Sequence, residues 1–243
     1  MRRLDTLRAD LSVLRAMARG MPKTHSHADD LAAFYAPQIE HYDRFRERLL
    51  QGREQLISKL PLPMHAHVVD LGGGTGRNIE YFGERASHIA RYDVVDLCAP
   101  MLAHARQRKR RFPQLHAIHG DATIWTPHEP VDVVIMSYAL TMIPNWRAAI
   151  VNALRMLKPG GTLGVVDFYV AAESPLPGCS RHSWLTRKFW PAWFKHDGVR
   201  LDSAQLPTLC NVLKTCELTE ASAPVPYLPL VHVPWYACIG RKP

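Results

Sequence analysis

Short apolar runs alternate with longer amphipathic stretches from residue 66 to residue 168. Strands buried in a parallel sheet are apolar throughout, whereas the helices between them repeat apolar residues every three to four positions. The alternation predicts an α/β fold with a Rossmann-like, doubly wound and mostly parallel sheet. The predicted strands are His67–Leu71, Tyr92–Asp96, Leu115–His119, Val131–Met136 and Thr162–Asp167. The predicted helices are Asn78–Ala86, Pro100–Arg111 and Trp146–Leu157, with a turn at Lys158–Gly161.

Two regions depart from this alternation. Residues 1–60 are predicted to form an N-terminal helical cap before a main domain at 61–243. The cap would contain a basic amphipathic helix ending at Gly20 and a helical stretch, Asp29–Leu60, broken at Pro37. Aromatic and basic residues dominate 171–201, which we interpret as a substrate-side insertion after the fifth strand. One helix, Ser203–Thr215, and two strands, Leu218–Ser222 and Trp235–Gly240, should close the domain.

Composition narrows the class of protein. With 47% hydrophobic and 21% charged residues in 243, the chain resembles an ordinary globular protein and not a disordered one. The net charge of +8 should attract a polyanion, either nucleic acid or an anionic lipid surface. No apolar run reaches the roughly 18 residues of a membrane span. Five cysteines without a Cys-x-x-Cys pair fit neither a disulfide framework nor a zinc site, so we expect a cytoplasmic location and no metal.

The strongest motif is a predicted buried strand followed by an acidic residue and alternate glycines. Asp70 precedes Gly72, Gly74 and Gly76, and such glycines let the backbone turn sharply and approach a ligand. No Gly-Lys-Ser/Thr follows, and the spacing is not Gly-x-Gly-x-x-Gly, so a P-loop and a dinucleotide site are both disfavoured. The spacing resembles the first motif of class I S-adenosylmethionine-dependent methyltransferases. In that resemblance Asp70 is the acidic partner of the cofactor's amino group.

Three further features lie where that superfamily contacts its cofactor. Asp96 ends the second predicted strand, where a carboxylate can accept hydrogen bonds from both ribose hydroxyls. Asp121 and Ala122 follow the third strand, at the position that reads the adenine amino group. Ser137 and Tyr138 follow the fourth, beside the transferred methyl. Each residue alone is typical of a cap or turn, but their order along the chain indicates S-adenosylmethionine as the cofactor.

A narrower resemblance covers residues 28 to 243. It is carried by Phe34–Gln38, Tyr42–Arg48, Asp70–Gly76, Val95–Cys98, Ser137–Pro144, Val165–Val170, His182–Trp193 and Val225–Pro229. These segments resemble the betaine-lipid synthase methyltransferases of the BtaB type. The resemblance implies three methylations of the homoserine amine of diacylglyceryl homoserine, giving a trimethylated betaine lipid. It also implies an aminocarboxypropyl transferase as the partner that supplies the substrate, and a peripheral position at the inner membrane face.

In this reaction the amine must lose its proton before it attacks. The protein must also bind the methylated cations and supply a basic partner for the substrate carboxylate. Candidates for proton transfer at the strand ends are Tyr138, Asp167, Tyr169 and His182. Candidates for an aromatic cage that binds the substrate are Tyr35, Tyr42, Tyr138, Tyr169, Trp184 and Trp190. The nearest basic residues for the carboxylate are Arg181 and Arg187. Any of these side chains could instead serve only the core or the surface.

Several alternatives remain open on the sequence. Nucleic acid is a minor one, because neither an Asn-Pro-Pro-aromatic motif nor a Pro-Cys pair is present. The same cofactor could donate its aminocarboxypropyl group, or support a cyclisation, with release of methylthioadenosine. Another small amine could be the acceptor. A module that only binds the cofactor, a membrane or a partner is disfavoured by the intact glycine and acidic residues.

Overall fold

A seven-stranded sheet forms the centre of the computed structural model, which describes residues 20–38, 43, 47–226, 228 and 230–243. The strand order is β3-β2-β1-β4-β5-β7-β6. β1 to β5 are parallel, and β7 runs antiparallel to both β5 and β6. The strands are β1 Ala66–Leu71, β2 Ile89–Asp96, β3 Leu115–His119, β4 Val131–Ser137, β5 Leu157–Phe168, β6 Thr215–Pro224 and β7 His232–Arg241. The predicted doubly wound, mostly parallel sheet is confirmed.

Helices cover both faces of this sheet. They are α1 His27–Tyr35, α2 Arg53–Lys59, α3 Ala99–Arg108, α4 Trp146–Met156, α5 Trp184–Lys195 and α6 Gln205–Val212. Side-chain oxygens of Ser26, Asn145 and Ser183 cap the first turns of α1, α4 and α5 by accepting backbone N–H hydrogen bonds. These caps fix where the three helices begin.

The core lies on both faces of the sheet. On one face, Leu56 and Ile57 of α2 and Leu102 of α3 belong to the same buried cluster as Val68 of β1. On the other face, α4 and α6 pack through residues such as Ile150 and Leu209. The part of the predicted cap that the structure describes therefore shares its core with the sheet. The predicted basic helix lies almost wholly in residues 1–19, outside the described residues.

Two predicted elements differ from the structure. The helix expected at Asn78–Ala86 is a 3₁₀ segment, Arg77–His88, interrupted by Gly83 at φ 56° and ψ −131°. Gly83 adopts a left-handed conformation that ends regular helical hydrogen bonding. The turn expected at Lys158–Gly161 lies within β5 as a bulge. Val131 of β4 pairs with Leu157 and Val133 pairs with Thr162, so an advance of two residues along β4 corresponds to five along β5.

Candidate active site

A cavity of 310 Å³ opens at the carboxyl ends of the parallel strands. Its walls include the segments that follow β1, β2, β3 and β4, together with residues of α1 and α2. The sheet order reverses between β1 and β4, and ligands of open α/β sheets bind in the crevice at such a switch point. The topology therefore brings four separate segments of the sequence to one site.

The segment after β1 is a glycine loop with an unusual backbone. Gly72, Gly74 and Gly76 all have left-handed φ values, of 68°, 55° and 70°. A Cβ on Gly72 would lie 2.6 Å from the Cβ of Ala139 in the segment after β4. A side chain there would push the two walls of the cavity apart, so the close approach requires glycine.

Asp96 shapes the same loop from the end of β2. One carboxylate oxygen accepts the Gly74 N–H at 2.8 Å and the other accepts the Cys98 N–H at 2.7 Å. Burial raises the pKa of this carboxyl, and the backbone donors oppose the rise. Each oxygen keeps a lone pair, and the residue borders the cavity. Asp96 can thus accept hydrogen bonds from a diol, as predicted for the ribose.

Two more polar groups after β3 and β4 have unused hydrogen-bonding capacity. Asp121 uses Oδ1 for the N–H and hydroxyl of Thr123, at 2.8 and 2.7 Å, while Oδ2 has no protein donor among the described residues. Ser137 Oγ is buried at the cavity wall and likewise lacks a partner in the described part of the chain. Native proteins rarely leave buried hydroxyls unpaired, so Ser137 fits a site completed by a polar ligand. Ala122 lies between them at the cavity wall.

Asp70, predicted to contact the cofactor's amino group, lies behind the cavity wall and has protein partners. Its side chain is fully buried and does not border the cavity. It accepts hydrogen bonds from Asn78 Nδ2 at 3.0 and 3.1 Å and from the Tyr92 hydroxyl at 2.8 Å. Burial raises the pKa of Asp70 to about 6 despite these two donors. Because both oxygens accept hydrogen bonds from protein donors, Asp70 supports the loop from behind, and its contact with the cofactor stays a prediction.

Tyr138 borders the cavity, as does Tyr35 of α1. The Tyr138 hydroxyl donates to the Gln51 carbonyl at 2.6 Å, and its ring meets Phe168 edge-on at a centroid distance of 4.6 Å. Burial raises the pKa of Tyr138 well above its usual value, so the phenol stays neutral. Its ring can hold a cation, but the hydroxyl is engaged as a donor.

The other three proton-transfer candidates have protein partners outside this cavity. Asp167 is fully buried, accepts from Thr141 N and Oγ1 at 3.1 and 2.7 Å, and has a pKa raised to about 7 by burial. The Tyr169 hydroxyl donates to Glu220. His182 Nδ1 accepts the Ala171 N–H at 3.0 Å. None of the three borders the cavity.

Most of the predicted substrate-binding residues also lie outside this cavity. Arg181 is exposed, and Arg187 lies 3.6 Å from Glu173. Trp184 is exposed, and Trp190 is buried against Phe194. These four do not border the cavity, and Tyr42 lies outside the described residues. Of the predicted cage, Tyr35 and Tyr138 are the two that the structure brings together.

Arg53 borders the cavity and was missed by sequence reasoning. Its side chain is buried, Nε donates to the Leu50 carbonyl at 3.3 Å, and Nη2 has no partner within the described residues. A buried guanidinium group without a counter-ion is costly and fits a site for an anion. Its position directly after Gly52, at the start of a short helix, gave no signal in the sequence.

The cap is held over the glycine loop by charge pairs. Thr75 Oγ1 donates to Asp43 at 2.7 Å, and Arg108 Nε donates to the Thr75 carbonyl at 2.8 Å. Arg108 also pairs with Asp43 and Glu80. These contacts close one side of the cavity against solvent.

Comparison with known proteins agrees with this geometry. Residues 68–161 match a family of methyltransferase domains. The chain is 32% identical to trans-aconitate 2-methyltransferase of Azoarcus sp. (strain BH72) over 126 residues, 52% of this chain and 48% of that protein. It is 27% identical to 2-phytyl-1,4-naphtoquinone methyltransferase of Thermosynechococcus vestitus, over 71% of this chain and 83% of that one. The chain thus spans about half the length of the first of these curated relatives.

A solved structure has the same fold at low identity. Haemonchus contortus phosphoethanolamine N-methyltransferase 2, in complex with phosphomonomethylethanolamine and S-adenosylhomocysteine, aligns with a TM-score of 0.68 at 15% identity. The alignment covers 91% of this chain and 61% of that one. The chain therefore contains a methyltransferase domain, and its fold is that of the class I S-adenosylmethionine-dependent methyltransferases.

The cofactor of this methyltransferase is S-adenosylmethionine. Three features of the site fit this cofactor: the glycine loop, the free lone pairs of Asp96 and Asp121, and the Ser137 hydroxyl, which has no partner among the described residues. When bound, it supplies an electrophilic methyl group. The protein's own residues then hold the ribose and adenine, orient the acceptor and exclude water.

Replacing Asp96 with alanine should weaken binding of S-adenosylhomocysteine about 10- to 100-fold, because hydrogen bonds to a charged group contribute about 1.5–3 kcal/mol. Calorimetric titration measures this. Asp202→Ala is a matched control. Asp202 accepts the Ala204 N–H at 2.9 Å, as Asp96 accepts the Cys98 N–H, but it lies away from the cavity. Equal affinity of the Asp96 variant and the wild type would contradict the ribose assignment.

Proposed function

We propose that this methyltransferase methylates the homoserine amine of diacylglyceryl homoserine to a trimethylated betaine lipid. The observation that carries the proposal is the pairing of Arg53 with two tyrosine rings at one cavity. The homoserine headgroup has a carboxylate and an amine that becomes a permanent cation. A guanidinium with an unpaired Nη2 suits the carboxylate, and the rings of Tyr35 and Tyr138 suit the cation. The family resemblance and the amine acceptor of the Haemonchus enzyme support the same proposal.

The neighbouring residues suggest how the amine becomes nucleophilic. Tyr138, at the cavity, is neutral and already donates its hydroxyl proton to the Gln51 carbonyl, and Asp167, outside the cavity, is enclosed by Thr141 and Phe168. Neither residue is placed to take a proton from the amine, and we infer that the amine loses its proton to solvent before the cavity closes. The protein then contributes orientation, desolvation and retention of the methylated intermediates. A cation over a ring face gains about 0.5–2 kcal/mol, which favours rebinding of the mono- and dimethyl forms.

Packed aromatic rings connect one wall of this cavity to the insertion. A small side pocket shares Tyr35, Leu50, Tyr138 and Met142 with the main cavity. From Tyr138, aromatic contacts continue through Phe168 to Phe194 of α5, at centroid distances of 4.6 and 4.8 Å. This wall gives the glycerol end of a lipid an apolar surface to pack against when its headgroup lies beside Arg53.

The outer face of α5 supports contact with an anionic bilayer. Trp184, Leu185, Phe189 and Trp193 are 67, 66, 41 and 45% exposed. The helix contains three basic residues and no acidic one, and the whole chain has a net charge of +8. Tryptophan prefers the headgroup level of a bilayer, and basic residues are attracted to anionic lipids. No helix within the described ranges has the length and apolarity to cross a membrane. Attachment would be peripheral.

The proposed reaction is tested by mass spectrometry of lipids from a host that supplies diacylglyceryl homoserine. Wild-type protein should add one to three methyl groups and release adenosylhomocysteine, while Asp96→Ala should give little product. Methylthioadenosine as the by-product would instead show aminocarboxypropyl transfer or cyclisation. Unchanged lipid, with purified protein methylating another amine, would overturn the proposed acceptor.

The same assay tests Arg53 against a matched arginine. Arg53→Gln should lower kcat/KM for the lipid at least tenfold. Arg85→Gln removes a half-buried guanidinium group that also donates to backbone carbonyls but lies outside the cavity, and should have little effect. If Arg53→Gln impairs binding of S-adenosylhomocysteine and leaves the KM for lipid unchanged, Arg53 serves the cofactor carboxylate and not the substrate.

Sedimentation with vesicles tests the membrane surface. At low salt the protein should pellet with anionic vesicles and far less with zwitterionic ones, and higher salt should release it by screening. The double variant Trp184→Ser, Leu185→Ser should lose most of this binding. The control Met64→Ser, Ile124→Ser removes two equally exposed apolar side chains away from α5. Equal loss in both pairs would show only nonspecific apolar adhesion.

A further inference from the structure

Three of the five cysteines meet where a helix packs on the antiparallel end of the sheet. Cys210 of α6, Cys216 of β6 and Cys238 of β7 form a thiol cluster. The Sγ atoms of Cys210 and Cys216 are 3.2 Å apart, and those of Cys216 and Cys238 are 2.9 Å apart. The sequence showed no paired cysteines, because the fold alone creates this proximity. All five cysteines are free thiols.

The three thiols differ in access. Cys238 is fully buried in the core beneath α6, whereas Cys210 and Cys216 are partly exposed. A small oxidant from solvent therefore reaches Cys210 and Cys216 before Cys238. No group of three His, Cys, Asp or Glu side chains in the described part of the chain could hold a metal ion, so a metal site is not assigned to the cluster.

Backbone geometry favours one pair over the other. Cys216 pairs with Gly240, and Cys238 pairs with Leu218, so Cys216 and Cys238 are diagonal neighbours on adjacent strands. Diagonal residues have Cα atoms about 7–8 Å apart, beyond the usual range for a disulfide. Cys210 and Cys216 instead flank the short connection between α6, which ends at Val212, and β6, which begins at Thr215. This connection can adjust to a bond between them.

The thiol that reacts first is also distinguished. The hydrogen bond from the Cys216 thiol, followed by that from Cys238, lowers the pKa of Cys210. The pKa of Cys216 is raised, chiefly because its thiol donates to Cys210. Thiolates, and not thiols, are the nucleophiles in cysteine oxidation. Of the two partly exposed thiols of the cluster, Cys210 is thus the one whose ionisation is favoured.

We propose that Cys210 and Cys216 form a reversible disulfide with a peroxide as the oxidant. The Cys210 thiolate attacks one peroxide oxygen, the O–O bond breaks, and a sulfenic acid and water form once the leaving hydroxide takes a proton. Cys216 then attacks the sulfenic sulfur, forming the S–S bond and releasing a second water. Two thiols are oxidised and one hydrogen peroxide is reduced to two waters. A dithiol reductant restores the pair. This site is independent of the proposed acceptor.

Tryptic digestion distinguishes the possible bonds. Trypsin cuts after Lys214 and Arg241, so Cys210 lies in peptide 201–214, and Cys216 and Cys238 lie together in peptide 215–241. After treatment of the folded wild type with hydrogen peroxide, the two peptides should be joined, and fragmentation should locate the bond at Cys216. Titratable thiols should fall from five to three and return with dithiothreitol. A loop within peptide 215–241, or only sulfinic acids, would overturn the proposal.

Variants test the assignment against a matched cysteine. Cys216→Ser should abolish the joined peptides, whereas Cys238→Ser and Cys98→Ser should keep them, since Cys98 is buried away from the cluster. Joined peptides that persist in Cys216→Ser would contradict the pairing. If Cys216→Ser fails to fold, the position of the bond in wild-type protein decides the matter alone.

Discussion

A buried carboxyl at the end of β1 determines the shape of the cofactor loop. Asp70 receives hydrogen bonds from Asn78, beyond the loop, and from Tyr92 of the neighbouring strand. Gly73 packs so closely on this carboxyl that a Cβ there would lie 2.7 Å from Cγ of Asp70. The two ends of the loop are thereby fixed to the core. The Gly74 N–H that donates to Asp96 belongs to this loop, so its position depends on that anchoring.

The site divides into a half made by the strand ends of the sheet and a half made by the cap. The segments at the ends of β1 to β4 supply the glycine loop, Asp96, Asp121 and Ser137, which suit the cofactor. Residues before β1 supply Arg53, which suits an anionic substrate group, and Asp43, which pairs with Arg108 at the end of α3. Such a division fits a scaffold whose similar proteins are named for acceptors as different as trans-aconitate and a naphthoquinone.

The sequence predicted the sheet and the cofactor half because both depend on local order. Apolar runs locate the strands, and the residue after each strand must lie at the same edge, so Asp96, Asp121 and Ser137 meet at the cavity as expected. Asp70 has the right position in the motif, but its enclosure by Asn78 and Tyr92 is a tertiary contact. The substrate half was mostly missed. Tyr169 follows β5, beyond the switch point, and its hydroxyl pairs with Glu220 of β6, which lies far away in the sequence. Arg53 and the thiol cluster likewise depend on contacts that no local pattern shows.

The role of Asp70 is tested most directly by the affinity of Asp70→Asn for S-adenosylhomocysteine. An asparagine can still accept from Tyr92, and its amide can donate to Asn78 Oδ1, which has no partner among the described residues. The loop should therefore keep its shape, and calorimetry should give a dissociation constant within about threefold of the wild type, since less than about 1 kcal/mol is at stake. A loss of tenfold or more, with unchanged thermal stability, would show that the Asp70 charge itself contacts the cofactor and would contradict the structural role.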